Sequence, residues 1–358
     1  MATFPSKVNY TTGEVLTATN MNDVGGAINL LQSAQFAAGK NAIINGDFGI
    51  WQRGTSFTLS TGGAVYTADR FKNSVAFSAG TCTVSRQTFT AGTAPVAGYE
   101  ASYFNRTTLP ASGSITYYET TQFVEDVRTF AGQTVTFSFW AKASSSLNAT
   151  ILISQNFGSG GSASVDNYAG SASITTSWQR FTITTSLASI SGKTIGTSSF
   201  VGLYLYATSG LSTSMTIDTW GWQLEAASTA SNFQTATGTK QGELAACQRY
   251  YIRWNGSDGI NSIIGTGLPS SAGAGRIVIP LPVTMRTTPA TLDYSSLAIN
   301  YVNAQVAITT ATISGSGLAN PRTAGIEFSG ASGLTAYWSV TLVVNNTSSG
   351  YLGLGAEL

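Results

Sequence analysis

The chain contains no histidine, and that absence decides most of the catalytic chemistry open to it. A serine or cysteine nucleophile needs a neighbouring base, and imidazole is the usual one near neutral pH. No Gly-x-Ser-x-Gly elbow occurs either. Ser191-Gly-Lys-Thr194 imitates the end of a phosphate loop, but Leu187 occupies the place of the required first glycine. The residues before it alternate as a strand and no helical pattern follows, so a hairpin turn is expected. Two carboxylates suffice for a glycosidase. The densest acidic group is Glu119, Glu125 and Asp126, with Arg128 close by for surface pairing. No enzymatic activity is expected from this set, and polysaccharide depolymerisation is the least favoured reading. Cys82 and Cys247 fall in separate segments and are expected to be buried free thiols.

Binding is the chemistry better served. In Phe200 to Tyr206, Val201, Leu203 and Leu205 make a core face and leave Tyr204 and Tyr206 on the other. By the same alternation Trp140 opposes Val135, Phe137 and Phe139. Aromatic rings turned out from a sheet can stack on a sugar ring, so Trp140, Tyr204 and Tyr206 are the candidate glycan contacts. Packing of these rings under a loop or against another subunit is the alternative. Trp254, Asn255 and Asp258 are weaker candidates.

Strands must hold these rings. Period-two alternation marks Thr134 to Lys142 and Arg180 to Leu187 as half-buried antiparallel strands. Asn41 to about Gln234 therefore reads as a jelly-roll β-sandwich, residues 41–234. A polar stretch, Thr235 to Gln241, closes it. Gly242 to Trp254 is a brief helical turn or strand. Alternation then returns, defining a smaller C-terminal β-sandwich over 242–358. Ile277, Ile279, Leu281 and Val283 share a face opposite Pro280 and Pro282, which predicts an edge strand. Trp338, Val340, Leu342 and Val344 form another strand face, and Leu352 to Leu358 alternate to the end. The fold class is all-β with a short N-terminal helix. In that helix Met21, Val24, Ile28 and Leu31 form one apolar stripe after Thr17. The stripe suits a short oligomerisation helix within an attachment segment, residues 1–40. Docking on its own domain is the plainer alternative.

Composition agrees with a binding or scaffold role. Charged residues are 9% of the chain, against about 25% in an ordinary soluble domain. Seventeen basic and 16 acidic residues give +1, so no basic stripe exists for nucleic acid. No apolar run reaches membrane-spanning length, and no membrane insertion is expected. Hydrophobic content of 42% is enough for real cores.

Several runs in order carry a resemblance. These are Asn41-Ala-Ile-Ile-Asn-Gly-Asp-Phe-Gly-Ile-Trp-Gln-Arg-Gly54, Thr67-Ala-Asp-Arg-Phe71, Phe130 to Lys142, Gln155 to Gly161, Thr176 to Phe181, Ile217 to Glu225, and Glu243 to Tyr251. Together they resemble a module of bacteriophage tail and fibre proteins that is similar to carbohydrate-binding jelly rolls. Gly13 to Asn22 resembles a phage attachment region, and Met285 to Pro289 with Ala356-Glu-Leu resembles a C-terminal knob. The resemblance implies a virion appendage protein, assembled in the bacterial cytoplasm, usually a homotrimer, joined to other virion proteins through its N-terminal segment. It implies display toward a host surface polysaccharide; a purely architectural head fibre or spacer is the alternative. It also implies a structural calcium, with Asp47 and Asp218 in the matching regions, although Gly49 replaces the family's glutamate.

Overall fold

The computed structural model describes residues 39–358 except 97, 98, 303 and 316, and gives no side chains for 168 and 169. The stripe Met21, Val24, Ile28 and Leu31 lies outside the described residues.

The first twelve strands build one sandwich. They are β1 (Ser56–Leu59), β2 (Ala64–Tyr66), β3 (Phe71–Phe77), β4 (Cys82–Thr88), β5 (Tyr103–Thr108) and β6 (Ile115–Glu125). There follow β7 (Thr134–Ala143), β8 (Leu147–Asn156), β9 (Val165–Ile174), β10 (Gln179–Ser186), β11 (Phe200–Ala207) and β12 (Thr216–Glu225). They pair antiparallel in two six-stranded sheets, β1-β4-β5-β12-β7-β10 and β2-β3-β6-β11-β8-β9. The inward residues of both sheets form one core around Phe71, Phe137, Phe139 and Trp222. This is the expected jelly-roll layering, and the chain is all-β apart from short helical pieces.

Thr239 caps helix α1 (Lys240–Gln248), its hydroxyl accepting from the Gly242 N–H at 3.0 Å. The second sandwich follows: β13 (Tyr251–Asn255), β14 (Ile263–Pro269), β15 (Ala274–Pro280), β16 (Thr291–Ser295) and β17 (Leu297–Tyr301). It is completed by β18 (Ala304–Ala307), β19 (Thr310–Ile313), β20 (Thr323–Ser329), β21 (Val340–Val344) and β22 (Tyr351–Gly355). A three-stranded sheet, β13-β22-β16, packs on a seven-stranded one, β18-β17-β21-β14-β15-β20-β19. Leu352, Leu354 and Ala356 are buried within this sandwich.

One strand differs from expectation. β15 lies between β14 and β20, so it is no edge. Pro280 is tolerated because it is the strand's last residue, where the ladder ends. The Ser191 to Thr194 run is a turn, closed by the Lys193 N–H on the Ile190 carbonyl. Both cysteines are buried and free.

Trp140 also departs from expectation: it is 7% exposed and offers no ring to a ligand. A bulge in β12 is the cause. Gly221, at φ +67°, adds a residue between Trp220 and Gln223. Trp220 then faces outward beside Trp140 while Trp222 turns into the core. The chain after β12 folds back over these rings. The Ala227 carbonyl accepts from Thr136, the Ser231 carbonyl accepts from Arg180, and Phe233 packs at 4.8 Å from Trp220. Arg180 caps the other side of the Trp140 ring at 4.6 Å.

Candidate functional site

The other sheet keeps its outer face open, and the site follows from its register. Tyr204 pairs with Thr121 on β6 and Leu152 on β8; Tyr206 pairs with Glu119 and Thr150. Paired residues of antiparallel strands share a face, so Tyr117, Glu119 and Phe123 join Phe200, Tyr204 and Tyr206 there. Lys72 of β3 and Asn156 of β8 complete it.

The rings contact one another. Phe123 lies 4.4 Å from Phe200 and 6.0 Å, edge to face, from Tyr204; Tyr117 lies 6.1 Å from Tyr206. Gly202 sets their attitude. A Cβ there would sit 2.6 Å from Cε2 and 2.7 Å from the hydroxyl of Tyr204. The Tyr204 ring therefore lies along the sheet over Gly202, held from the side by Phe123. It is half-buried, a platform with one face available.

Polar groups border the platform. Tyr117 donates its hydroxyl to Glu119. Partial burial raises the Glu119 carboxyl above its ordinary range, against the opposing pull of that hydrogen bond and of Lys72. Burial, with the charges of Glu119 and Asp166, pushes the Tyr204 phenol up to about 12, so it stays a neutral donor. At the far end Glu125 is held by Arg249, at 2.9 and 3.0 Å, and by Tyr250. Arg128 forms the expected surface pair with Asp126, and Glu125 pairs with Arg249 in its place.

Of the three candidate glycan rings, the structure brings Tyr204 and Tyr206 together and removes Trp140. Tyr117, Phe123 and Phe200 were missed in the sequence. Alternation in β6 was the available signal, but its inward residues are Tyr118, Thr120 and Gln122, which look like the solvent side. Trp254 packs partly buried against the second core.

The calcium reading does not fit the residues present. Both Asp218 oxygens accept from Arg106, Nε at 2.7 Å and Nη2 at 2.8 Å, and Lys142 Nζ is 3.8 Å away. Two cations already neutralise that carboxylate. Asp47 lies elsewhere, beside a cleft of about 410 Å³ with Tyr99, Lys240 and Glu243. Burial raises its carboxyl, although the Gly49 N–H and Lys240 favour the charged form. Among the described residues no group of three metal-binding side chains occurs, and no helix is long and apolar enough to cross a membrane.

The asparagines of the opening run serve the fold. Asn41 accepts from Ile43 and Leu224 and donates to the Trp222 and Gln234 carbonyls. Asn45 bonds in the same way with Ile50 and Asp69.

Two antiparallel sandwiches in tandem, the first with an aromatic outer sheet face, define the class of this protein. No family model matches the chain, and no curated protein does. Solved structures show partial likeness, among them the following three. The xylan-binding CBM22-1 domain of Paenibacillus barcinonensis Xyn10C shares 13% identity over 49% of this chain and 95% of its own, at TM-score 0.30. A CBM4 structure shares 19% identity over 40% of this chain and 87% of its own, at TM-score 0.26. The enzymatically active domain of bacteriophage CBA120 tailspike protein 4 shares 11% identity over 52% of this chain and 22% of its own, at TM-score 0.31. At such scores they do not bear on the site, whose reading rests on the chain's own geometry.

Proposed function

We propose that this protein is a bacteriophage appendage component that binds a host surface polysaccharide on the outer face of β6 and β11. The observation that carries the reading is the Tyr204 ring laid along the sheet over Gly202, flanked by Tyr206, Phe123 and Glu119. An open aromatic floor with carboxylate and hydroxyl groups at its border suits the C–H face and the hydroxyls of a sugar chain. Residues 1–40 would attach it to the particle. A homotrimer would turn weak single sites into useful avidity.

Binding without cleavage is part of the proposal. Asp166 pairs with Ser154, three strands from β6, in the row of Phe123. On ideal sheet spacings it stands about 14 Å across and about 13 Å along from Glu119. Paired glycosidase carboxylates stand only about 5–9.5 Å apart.

The test is an array of host and non-host polysaccharides probed with the full chain, Tyr204→Ala and Gly202→Ala. Gly202→Ala keeps every ring but drives Tyr204 off the sheet. Both variants are expected to bind about tenfold more weakly, the loss of one well-placed anchor. Wild-type binding by both would overturn the site, and no binding by the parent chain would favour a purely architectural role.

A further inference from the structure

The second sandwich has one end turned toward the first and one turned away. β15 ends at Pro280, and the chain then reaches Arg286, which donates to the Ala356 and Glu357 carbonyls and touches Ser198 of the first sandwich. The Ala274 end of β15 therefore faces away. Three connections meet there: the turn after Pro269, the turn after Tyr301, and the loop 330–339. The loop is tied to both turns. The Leu334 N–H donates to the Ala272 carbonyl at 3.0 Å, the Tyr337 N–H to the Pro269 carbonyl at 2.9 Å, and the Thr335 N–H to the Tyr301 hydroxyl at 3.1 Å.

Large apolar side chains stand outward at this end. Tyr337 is 81% exposed, Val302 68% and Trp338 56%; the Trp338 ring leans on Tyr301 at 6.1 Å. Val302 and Tyr337 hold φ of +54° and +65°. Left-handed backbone is unfavourable for side chains of these shapes. The fold gains no burial in return, since both side chains point into solvent. Rigid ties, strained backbone and exposed rings together describe surface held ready for a ligand.

The surroundings select the ligand class. No Asp, Glu, Lys or Arg occurs in 269–275, 301–304 or 330–340. The nearest charges, Arg276 and Glu327, pair with each other at 3.4 Å, so a charged ligand would find no unengaged partner. Exposed Ser270, Ser271, Ser332 and Ser339 ring the aromatics. Protein interfaces are poor in serine and favour free arginine beside their aromatics, and the nearest arginine, Arg276, is engaged by Glu327. We infer that this end of the second sandwich is a second binding site, for a neutral saccharide, with Trp338 and Tyr337 as its stacking rings. It goes beyond the β6–β11 face and stands without it.

The experiment uses the full chain on an array of neutral hexose and N-acetylhexosamine oligosaccharides, with uronic-acid oligosaccharides as acidic comparators. Trp338→Ala, Tyr337→Ala and Tyr204→Ala are compared, with thermal melts confirming that the exposed substitutions leave the fold intact. A set of neutral glycans should bind about tenfold more weakly to Trp338→Ala and Tyr337→Ala and keep their affinity for Tyr204→Ala. If Trp338→Ala binds as the parent does, the inference falls, even where Tyr204→Ala loses binding and the first site stands. Loss confined to uronic-acid glycans also overturns it, as does a change in self-association by sedimentation with glycan binding unaltered.

Discussion

At the scale of single residues, the few charges are placed where burial makes them matter. Asp69 is buried beside Gln52, whose side-chain and backbone N–H groups both donate to it, with Arg53 at 3.9 Å. Burial outweighs these partners and raises its carboxyl to about 6. The unfolded value lies near 3.9. The folded state therefore binds the proton more tightly, and lowering the pH favours folding. The stabilisation is fully present below about pH 4 and is lost as pH rises through about 6. Full deprotonation costs about 3 kcal/mol by linkage. Glu119, Asp47 and Glu243 are raised in the same direction by burial. Urea denaturation at pH 7, 6 and 5 should thus show stability rising toward acid, and Asp69→Asn should flatten the rise. A parent chain that loses stability steadily from pH 7 to 5 would contradict the assignment.

At the scale of elements, the β12 bulge decides which sheet can bind. Gly221→Ala would place a Cβ 2.6 Å from the Trp140 ring in left-handed backbone. The expected loss is about 2–4 kcal/mol, from strain and overpacking together, read as a lower urea midpoint at unchanged slope. A loss under about 1 kcal/mol would mean that the covering segment gives way easily. The layering was legible because apolar residues alternate in β7, β10, β11 and β21. The two tyrosines of β11 were legible for the same reason. Trp140 was misread because alternation assigns a face but not what later covers it; the cover is 226–236, an irregular stretch with no period. β6 was opaque because its inward positions are polar. Gln122 points inward to bond both the N–H and carbonyl of Ile44, so Phe123 is left outside. The engagement of Asp218 was not legible either, because sequence position could not reveal that Arg106 crosses to it from β5.

At the scale of the whole molecule, the two sandwiches are joined by charge in a chain that otherwise avoids it. Glu357 pairs with Arg70 and, at 3.0 Å, with Arg53, both of the first sandwich. Arg70 is 1% exposed, stacks on Tyr250 at 3.4 Å, and donates to the Phe123 carbonyl at 2.7 Å. Tyr66 donates to the Leu358 carbonyl at 2.8 Å, and Arg249 crosses back to Glu125. Among the described residues Glu357 is the only carboxylate paired with Arg70. Removing one partner of a buried pair leaves the other charge uncompensated, at about 3–5 kcal/mol. Glu357→Gln should therefore destabilise the chain by about 3 kcal/mol. It should also uncouple the sandwiches, splitting one calorimetric transition into two. Arg276 and Glu327 supply the comparison, a pair at 3.4 Å with both side chains well exposed. Glu327→Gln should change stability by less than about 1 kcal/mol. Equal effects from the two substitutions would show that burial at the junction does not set the strength of the joint. A single transition in Glu357→Gln would show that apolar contacts around α1 and β13 hold the sandwiches together without it.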